Sequence, residues 1–297
     1  MLTMNTIAVT GGNGMAGRHM CAWLELQKQP YKRIQREEWN IAEWKTAEQL
    51  DQIFSGSKAI FHFAAALPSP VDGSNSVSTQ LLFDVNVRAC LNLAEWANLR
   101  KIPLIFISGS TVYRNPHERN ILETSAKVIN GFGGFYGYSK WLAEQVIEHY
   151  MATGLDAIIL RPTSIYGYGL ASDKLIQNFL NKAEQDEIIT IDAPDNKVNL
   201  IHALDVAKAA WQAYQQKAWG EYNIAGFHNY SIIEIAKTAL TLEQKGQVKV
   251  LHQQQEAEAY VRFDLNYQKA KNSFGFTPSI DLQTGMGLMM QKREIPC

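Results

Sequence analysis

Short apolar runs and longer amphipathic stretches alternate along the first half of the chain. The runs are rich in β-branched and aromatic residues and cover residues 6–10, 59–63, 104–107 and 156–161. Apolar residues recur at helical spacing in the stretches between them. Short continuous apolar runs are typical of strands buried on both faces. The alternation therefore predicts an α/β protein with a doubly wound parallel sheet.

The pattern becomes less regular after residue 165. The elements predicted there are a helix, a strand, a strand–helix unit, a strand and a helix, over residues 174–185, 188–191, 198–216, 221–224 and 232–242. We predict a first domain over residues 1–165 and a smaller C-terminal substrate-binding domain over residues 166–297. The segment from about 197 to 227 is expected to return to the first domain.

A glycine-rich turn follows the first predicted strand and leads into an amphipathic helix. Gly11, Gly14 and Gly17 have the spacing of a dinucleotide fingerprint in its required strand–turn–helix context. Gly11 permits the tight turn, Gly14 lets a pyrophosphate approach the backbone, and Gly17 lets the helix pack on the strand. Asn13 and Met15 are expected to contact the cofactor as well, with the phosphates at the helix N-terminus. The predicted first domain is therefore of the Rossmann type and binds NAD or NADP.

The end of the second strand is where such domains read the adenosine ribose. Arg36 stands there, about twenty residues after the glycines, and no acidic residue closes the strand. A guanidinium suits a 2′-phosphate, so the sequence slightly favours NADP over NAD. Glu37 and Glu38 follow at once and are the alternative, as acceptors for the ribose hydroxyls of NAD. Arg33 is a second candidate cation.

Small residues follow the third strand. Ala64 and Ala65 are expected to lie against the cofactor, because their side chains leave the backbone accessible. His62, just before them, is expected in the core rather than in catalysis. Residues 67–78 contain two prolines, one glycine and four serines, which predicts a loop that is a candidate lid over the site.

Tyr136 and Lys140 are four residues apart at the start of a predicted helix, so their side chains share one face. A phenol alone has a pKa near ~10 and is a poor proton shuttle at neutral pH. A nearby ammonium stabilises the phenolate, and oxidised nicotinamide would add to that effect. We therefore expect Tyr136 to act in general acid–base catalysis, with Lys140 lowering its pKa. The alternative is a surface pair on an ordinary helix.

Hydroxyl side chains cluster where the fourth strand ends, at Ser108, Ser110 and Thr111. Open α/β sheets place their chemistry at the carboxyl ends of the strands. A hydroxyl at this point can hydrogen-bond a substrate oxygen beside Tyr136. The alternative is that these hydroxyls only cap a turn.

Composition excludes several classes of protein. The 297 residues include 28 basic and 29 acidic ones, a net charge of −1 that argues against nucleic-acid or membrane-surface binding. No apolar run approaches the length of a membrane span, and no signal sequence is evident, so we expect a cytoplasmic protein. Cys21, Cys90 and Cys297 are scattered without metal-ligand spacing, so we expect reduced thiols and no metal.

Together these features resemble the extended short-chain dehydrogenase/reductase family, which contains nucleotide-sugar epimerases, dehydratases and reductases. The resemblance covers nearly the whole chain and rests on an ordered set of motifs. These are Thr10–Gly17, Phe61–Ala65, Asn86–Val87, Phe106–Tyr113, Tyr136–Lys140, Arg161–Gly167, Ile201–Ala207, Tyr222–Ile224 and Phe274–Pro278.

The resemblance implies hydride transfer between a sugar carbon and the nicotinamide of NAD or NADP. Tyr136 would exchange a proton with a sugar hydroxyl or ketone oxygen, and Lys140 would hold the nicotinamide ribose. It also implies a homodimer that pairs the helix over 86–99 with the helix after Lys140, with Trp96 and Trp141 in the interface. The alternative is that these tryptophans only face the core.

The chain departs from the family pattern at the third catalytic position. The usual serine or threonine falls on Gly109, so Ser110 becomes the candidate for this role, ahead of Thr111. Ser110 and Thr111 also stand where the dehydratases carry an acidic pair. A 4,6-dehydratase activity is therefore not expected.

The chain also departs at the arginines that grip a sugar-nucleotide pyrophosphate. Val198, beside Lys197, occupies the position of the first. Residues 252–259, where a second is usual, contain none, and Arg262 lies just beyond them. These departures weaken the assignment to nucleotide sugars relative to the assignment of the fold.

The leading interpretation is an NAD(P)-dependent oxidoreductase or epimerase that acts at a hydroxyl or keto carbon of a nucleotide-linked sugar. An NADPH-dependent keto-sugar reductase is the alternative that Arg36 favours. A non-catalytic sensor or subunit that binds a dinucleotide is a third interpretation, supported by Gly109 and opposed by the presence of Tyr136 and Lys140.

Overall fold

The computed structural model describes residues 5–68, 78–129, 132–251 and 260–296. Its strands are β1 (Thr6–Thr10), β2 (Tyr31–Ile34), β3 (Ser57–His62), β4 (Leu104–Ile107), β5 (Ala157–Pro162), β6 (Ser164–Tyr166), β7 (Ile188–Ile191), β8 (Lys197–His202), β9 (Gly220–Ile224), β10 (Asn229–Ser231), β11 (Gln247–Val250) and β12 (Val261–Arg262). Its helices are α1 (Met15–Leu26), α2 (Ala47–Ile53), α3 (Thr79–Phe83), α4 (Ala89–Arg100), α5 (Gly134–Ala152), α6 (Leu175–Glu184), α7 (Ala203–Gln215), α8 (Ile232–Glu243), α9 (Gln268–Phe274) and α10 (Leu282–Met290). A π-helical turn (Asp84–Arg88) joins α3 to α4, and a 3-10 turn (Ser110–Val112) follows β4.

Six strands form the central sheet in the order β2-β1-β3-β4-β5-β9, and all neighbouring pairs are parallel. Strands β4 and β5 are buried along their whole length because they are apolar on both faces. Helices α1 and α7 pack on one face of the sheet, and α4 and α5 pack on the other. The predicted doubly wound Rossmann-type sheet is confirmed.

A smaller sheet is built around β8, which pairs antiparallel with β10 and parallel with β12 and β6. Strands β7 and β11 form a separate parallel pair, and α6, α8 and α10 share an apolar core with these strands. The segment expected to return to the first domain is therefore divided. β8 belongs to the smaller sheet, whereas α7 packs against α1 and β9 forms the edge of the central sheet.

A buried ion pair fixes α5 against the central sheet. Glu144 of α5 is fully buried, and Arg161 at the end of β5 is 1% exposed. The Nε of Arg161 lies 3.1 Å from both carboxylate oxygens of Glu144, and its Nη2 lies 2.8 Å from Oε2. Arg161 also donates to the hydroxyl of Tyr113, which donates to the side chain of Asn223 in β9. Glu144 is one turn after Lys140, so this pair positions the start of α5 at the carboxyl ends of the strands.

The structure corrects the role expected for Trp96. Its side chain is 3% exposed, its ring lies 5.0 Å from that of Phe54, and its Nε1 donates to Asp51 at 2.9 Å. Trp96 faces the core, so it cannot belong to a dimer interface. Trp141 is half-buried and packs against the apolar cluster around Tyr113. Among the described helices, none has the length and apolar character that a membrane span requires.

Candidate active site

The glycine turn after β1 is shaped by two close backbone approaches. Gly11 has a φ of +68°, and a Cβ on it would lie 2.5 Å from the backbone nitrogen of Ala64. A Cβ on Gly17 would lie 2.1 Å from the carbonyl oxygen of Gly11. Both positions therefore require glycine, and the turn is pressed against the loop after β3. This is the strand–turn–helix context that the fingerprint requires.

Helix α1 starts at Met15 with its first turn open to an anion. Gly14 occupies the N-cap position and supplies no side-chain hydrogen bond, and the first turn holds no acidic residue. The N–H groups at a helix start have no partner within the helix, and the macrodipole favours negative charge there. The geometry therefore fits the pyrophosphate of a dinucleotide at Gly14 and Met15.

Asn13 joins the glycine turn to the end of β2. Its Nδ2 donates to the Oε1 of Gln35 at 2.9 Å, and its Oδ1 lies 3.5 Å from the Nη1 of Arg33. Gln35, the first residue after β2, therefore lies nearest to the place where an adenosine ribose is expected. Arg36 is exposed in the following turn and makes no hydrogen bond with Asn13. The carboxylate of Glu38 accepts from the backbone N–H of Gln35 and pairs with Lys32 at 2.7 Å.

Asn86 holds the loop after β3 in place. Its side chain accepts from the N–H of Ala66 at 2.8 Å, donates to the carbonyl of Ala66 at 3.1 Å, and donates to the hydroxyl of Ser139 in α5 at 3.0 Å. Asn86 lies in the π-helical turn, a feature often found at functional sites. It thus ties Ala64 and Ala65, next to the glycine turn, to the helix that carries Tyr136. The sequence showed Asn86 as part of a motif but gave no signal of this connection.

Tyr136 and Lys140 lie one turn apart at the start of α5. The side chain of Tyr136 is half-buried, and its hydroxyl makes no hydrogen bond within the described ranges. Lys140 is 3% exposed; its Nζ donates to the carbonyl of Ile107 at 2.7 Å and lies 4.5 Å from the ring centroid of Phe106. The pair therefore lies at the carboxyl end of β4, as expected for the site.

We expected Lys140 to lower the pKa of Tyr136, and this prediction is wrong for the protein without a bound cofactor. Partial burial raises the pKa of Tyr136 to about 12, because loss of solvent around the hydroxyl disfavours the charged phenolate. Burial also lowers the pKa of Lys140 to about 8. The protein groups alone therefore keep Tyr136 protonated at neutral pH.

Three hydroxyl groups follow β4, and none has a hydrogen-bond partner among the described residues. They belong to Ser108, Ser110 and Thr111; the hydroxyls of Ser108 and Thr111 are also fully buried. A buried hydroxyl without a partner is unfavourable, so these groups suit a bound ligand. Thr111 contacts the start of α5, since its carbonyl oxygen would lie 2.6 Å from a Cβ on Gly137. Gly109 is extended, with a φ of −178°, and its conformation does not require glycine.

A cavity of about 300 Å³ opens beside the smaller sheet. Its walls combine apolar side chains from α6, β7 and α8 with polar ones, which include Asn196, Lys197 and Arg262. The guanidinium of Arg262 lies 4.6 Å from the ring centroid of Phe132, four residues before Tyr136. Arg262 therefore links the lining of the cavity to the segment just before α5. The predicted lid over 67–78 lies, except for Leu67, Pro68 and Ser78, outside the described residues.

Together, the fold and the site define a class of dinucleotide-binding enzymes that carry a tyrosine–lysine pair. The chain belongs to the NAD dependent epimerase/dehydratase family, whose model matches residues 7–225. This result agrees with the resemblance to the extended short-chain dehydrogenases/reductases and with a nicotinamide dinucleotide as cofactor.

Two curated relatives match part of the chain. An uncharacterised protein of Sinorhizobium fredii is 23% identical over 202 residues, 66% of this chain and 47% of the relative. A dTDP-4-dehydro-6-deoxy-D-allose reductase of Streptomyces bikiniensis is 26% identical over 149 residues, 46% of this chain and 45% of the relative. The chain thus spans about half the length of these relatives.

Solved structures of similar fold cover almost the whole chain. A UDP-N-acetylglucosamine 4-epimerase from Bacillus cereus superposes with a TM-score of 0.81 and 22% identity, over 97% of this chain and 96% of that one. A UDP-glucuronic acid 4-epimerase from the same species, in complex with NAD, has a TM-score of 0.78 and 20% identity, over 97% and 99% of the two chains. At this level of identity the likeness establishes the fold.

Proposed function

We propose that this protein is an NAD(P)-dependent oxidoreductase or epimerase that transfers hydride at a hydroxyl or keto carbon of a nucleotide-linked sugar. The observation that carries the proposal is the pair Tyr136 and Lys140 at the carboxyl end of β4, with the tyrosine hydroxyl free of partners in the described ranges. The reductase of Streptomyces bikiniensis and the two Bacillus cereus epimerases are named for nucleotide-linked sugars, which supports this substrate class.

The residues of this chain fit a nicotinamide dinucleotide. Gly11 and Gly17 leave no space for a Cβ, so the turn packs tightly on the loop after β3 and on the start of α1, and the uncapped start of α1 suits the pyrophosphate. Asn13 and Met15 would flank the phosphates, and Ala64 and Ala65 would lie along the cofactor. Lys140 would hold the nicotinamide ribose. The bound cofactor supplies the hydride acceptor or donor.

Tyr136 would exchange a proton with the substrate oxygen. Since burial raises its pKa to about 12, the phenol is protonated at neutral pH and can donate to an oxygen that becomes an alkoxide during reduction. In the opposite direction it must first lose its proton, which a positive charge nearby would favour. Ser110, or the unpartnered hydroxyl of Thr111, would donate to the same oxygen and replace the side chain that Gly109 lacks.

A keto-sugar reductase that uses NADPH is the second candidate. The end of β2 favours it, because the residue nearest the expected ribose is Gln35 rather than an acid, and Arg33 and Arg36 are close in sequence. Glu38 is held by Lys32 and by the backbone of Gln35. It therefore offers little repulsion to a 2′-phosphate.

The proposal is tested by supplying purified protein with nucleotide-linked keto sugars and following the absorbance of reduced nicotinamide. Consumption of NADPH by wild type, and not by Tyr136→Phe, supports a reductase. Conversion between epimers with cofactor retained through gel filtration supports an epimerase. Binding of cofactor with neither activity across UDP-, dTDP-, GDP- and CDP-linked sugars would favour the non-catalytic interpretation.

A further inference from the structure

His62 is a buried imidazole with no part in the proposed chemistry. It is the last residue of β3 and is 1% exposed, in the core as expected. Residues two apart in a strand share a face, so His62 lies on the same face as Ile60, which packs with α4 and α5. Lys140 extends from α5 to the same end of the sheet, where its Nζ donates to the carbonyl of Ile107. His62 therefore lies beneath the helix that carries the tyrosine–lysine pair.

Thr10 holds one side of this imidazole. It is the register partner of His62 on β1, and its Oγ1 lies 2.8 Å from Nδ1 of His62. The other ring nitrogen, Nε2, is buried and has no hydrogen-bond partner among the described residues. A neutral imidazole carries one N–H and one lone pair. The direction of the hydrogen bond with Thr10 therefore decides which of the two remains at Nε2.

Lys140 lies close to the imidazole, because both contact the ring of Phe106. Phe106 is the register partner of His62 on β4, and the two rings are nearly parallel, with their centroids 5.9 Å apart. The Nζ of Lys140 lies 4.5 Å from the centroid of the same phenyl ring. Burial and the charge of Lys140 lower the pKa of His62 to about 3, so His62 is neutral at pH 7. A nearby cation favours the tautomer with its N–H on Nδ1, donated to Thr10, and its lone pair on Nε2.

The other groups around Lys140 leave room for a neutral acceptor. An ammonium has three N–H donors, and within the described residues one of them is used, by the carbonyl of Ile107. The titratable groups that act on Lys140 are the thiol of Cys90 in α4 and the carboxylate of Glu144 in α5. Burial raises the pKa of Cys90 to about 12, so the thiol is uncharged, and Glu144 is already paired with Arg161. A lone pair beside the ammonium would therefore help to keep it charged.

We propose that His62 is a positioning residue for hydride transfer: its Nε2 lone pair faces the ammonium of Lys140 and keeps that group charged and in place. The inference rests on the proposed function, because it gives His62 a part in the same site. Thr10 holds the imidazole in the required tautomer. An ammonium held in this way can bind the hydroxyls of the nicotinamide ribose and stabilise the phenolate of Tyr136.

The test uses two amides that separate the two ring nitrogens. The side-chain amide of glutamine reaches as far as Nε2, whereas that of asparagine reaches only as far as Nδ1. His62→Gln therefore keeps an acceptor near Lys140, and His62→Asn does not. Thr10→Val removes the hydroxyl that fixes the tautomer, with little change of shape. His202→Asn is the matched control, because His202 is also fully buried with an unpartnered Nε2, at the start of α7 on the opposite face of the central sheet.

The charge of Lys140 is followed by ¹³C NMR of purified protein labelled at the lysine Cε, titrated from pH 6 to 11. Lys140→Met identifies the resonance. We expect a midpoint near 8 in wild type, and the same midpoint within about 0.3 units in His62→Gln and His202→Asn. His62→Asn should lower the midpoint by roughly half a unit to one unit, and Thr10→Val should lower it less. Thermal melting shows that each variant is folded.

Steady-state kinetics at pH 8 provide the second measurement. His62→Asn should lower kcat by about two- to fivefold, in proportion to the lost ammonium form, with the KM of the sugar substrate unchanged within about twofold. His62→Gln should restore kcat.

The inference is overturned, while the proposed function stands, if Lys140 titrates alike in His62→Asn and His62→Gln, or if His202→Asn shifts it as much. A lower midpoint without a loss of kcat also overturns it, because the charge of Lys140 would then not be used. If neither His62 variant folds, Thr10→Val decides alone, and a midpoint equal to that of wild type overturns the inference. A wild type without turnover on any nucleotide-linked sugar overturns the proposed function, and with it the role of His62 in hydride transfer.

Discussion

The ammonium of Lys140 donates to the carbonyl oxygen of Ile107 at 2.7 Å, which joins the helix carrying Tyr136 to the last residue of β4. Lys140 is almost fully buried, and no carboxylate of the described chain lies within ion-pair distance of it. A buried cation without a close counter-ion is costly. Such a group is better explained by function than by stability.

Replacing Lys140 by methionine should stabilise the protein at pH 7 while lowering kcat. Its pKa falls from 10.5 to about 8 on burial, so the unfolded chain holds the proton more tightly than the folded one. Protonated Lys140 therefore destabilises the native state below about pH 8, and this cost disappears as the pH rises towards 10.5. Melting curves from pH 7 to 10.5 should show the Tm advantage of Lys140→Met shrinking over that range. A Tm difference independent of pH would contradict the prediction.

Tyr136→Phe should abolish turnover and leave cofactor affinity nearly intact. The substitution removes the hydroxyl and keeps the ring, so packing at the start of α5 is preserved. Positioned acid–base groups contribute about 10² to 10⁴ in rate. Steady-state kinetics and cofactor titration of the same preparation separate the two effects. Retention of more than half of the activity would remove Tyr136 from the mechanism.

The third hydroxyl can be located by substitution in the turn after β4. Ser110→Ala should lower kcat by about tenfold or more if Ser110 donates to the substrate oxygen, since a hydrogen bond to a charged group contributes about 1.5–3 kcal/mol. Thr111→Val is the matched comparison, because it removes the hydroxyl of the next candidate with little change of shape. The variant with the larger loss in kcat identifies the donor.

The substitution Gly109→Ser tests the location of the third hydroxyl in the opposite way, because it adds a hydroxyl at the position where the family usually has one. The backbone at Gly109 is extended, and a Cβ would have the hydroxyl of Thr111 at 3.7 Å as its nearest neighbour. We therefore expect Gly109→Ser to fold with a Tm within a few degrees of wild type, and to restore activity to Ser110→Ala. Failure of the double variant to exceed the activity of Ser110→Ala would show that position 109 does not reach the substrate.

The central sheet was predictable because strands buried on both faces, such as β4 and β5, are continuous apolar runs that few other structures contain. Strand β8 is also mostly buried, but its sequence contains Lys197, Asn199 and His202 and gives no signal of which sheet it joins. Helix α4 is buried over most of its surface, so its periodicity could not show that Trp96 faces inward.

The positions of the glycine turn and of the pair Tyr136 and Lys140 were predictable, because they depend on local spacing. Two properties depend on distant parts of the chain and could not be read in this way. The pKa of Tyr136 reflects its burial, which is a property of the folded structure. Arg262 reaches the cavity through the register of β12 on β8, across 64 residues of sequence.

We predict that the protein forms a homodimer through the helices around α4 and α5, without Trp96. Leu81, Phe83 and Leu99 on α3 and α4 are 43%, 43% and 61% exposed, and covering such side chains would favour association. Light scattering at micromolar concentration should give twice the chain mass of 33.4 kDa. Leu99→Glu should shift the protein towards the monomer, whereas Leu26→Glu, at an exposed leucine of α1, should not. A monomeric wild type would contradict the prediction.

Cofactor choice should depend on the two arginines at the end of β2. A 2′-phosphate carries nearly two negative charges and requires a cation. Arg36 is exposed and free to turn towards it, whereas Arg33 already lies within 3.5 Å of Asn13 beside the glycine turn. We therefore expect NADP(H) to bind more tightly than NAD(H), and Arg36→Ala to erase the difference without weakening NAD(H).

Arg33→Ala is the comparison that shows whether the guanidinium already at the turn contributes instead. Quenching of tryptophan fluorescence by each cofactor measures all six affinities, those of the three proteins for NAD(H) and for NADP(H). Tighter binding of NAD(H) to wild type would mean that Glu37, or a displaced Glu38, reads the ribose hydroxyls, and would favour an epimerase over a reductase.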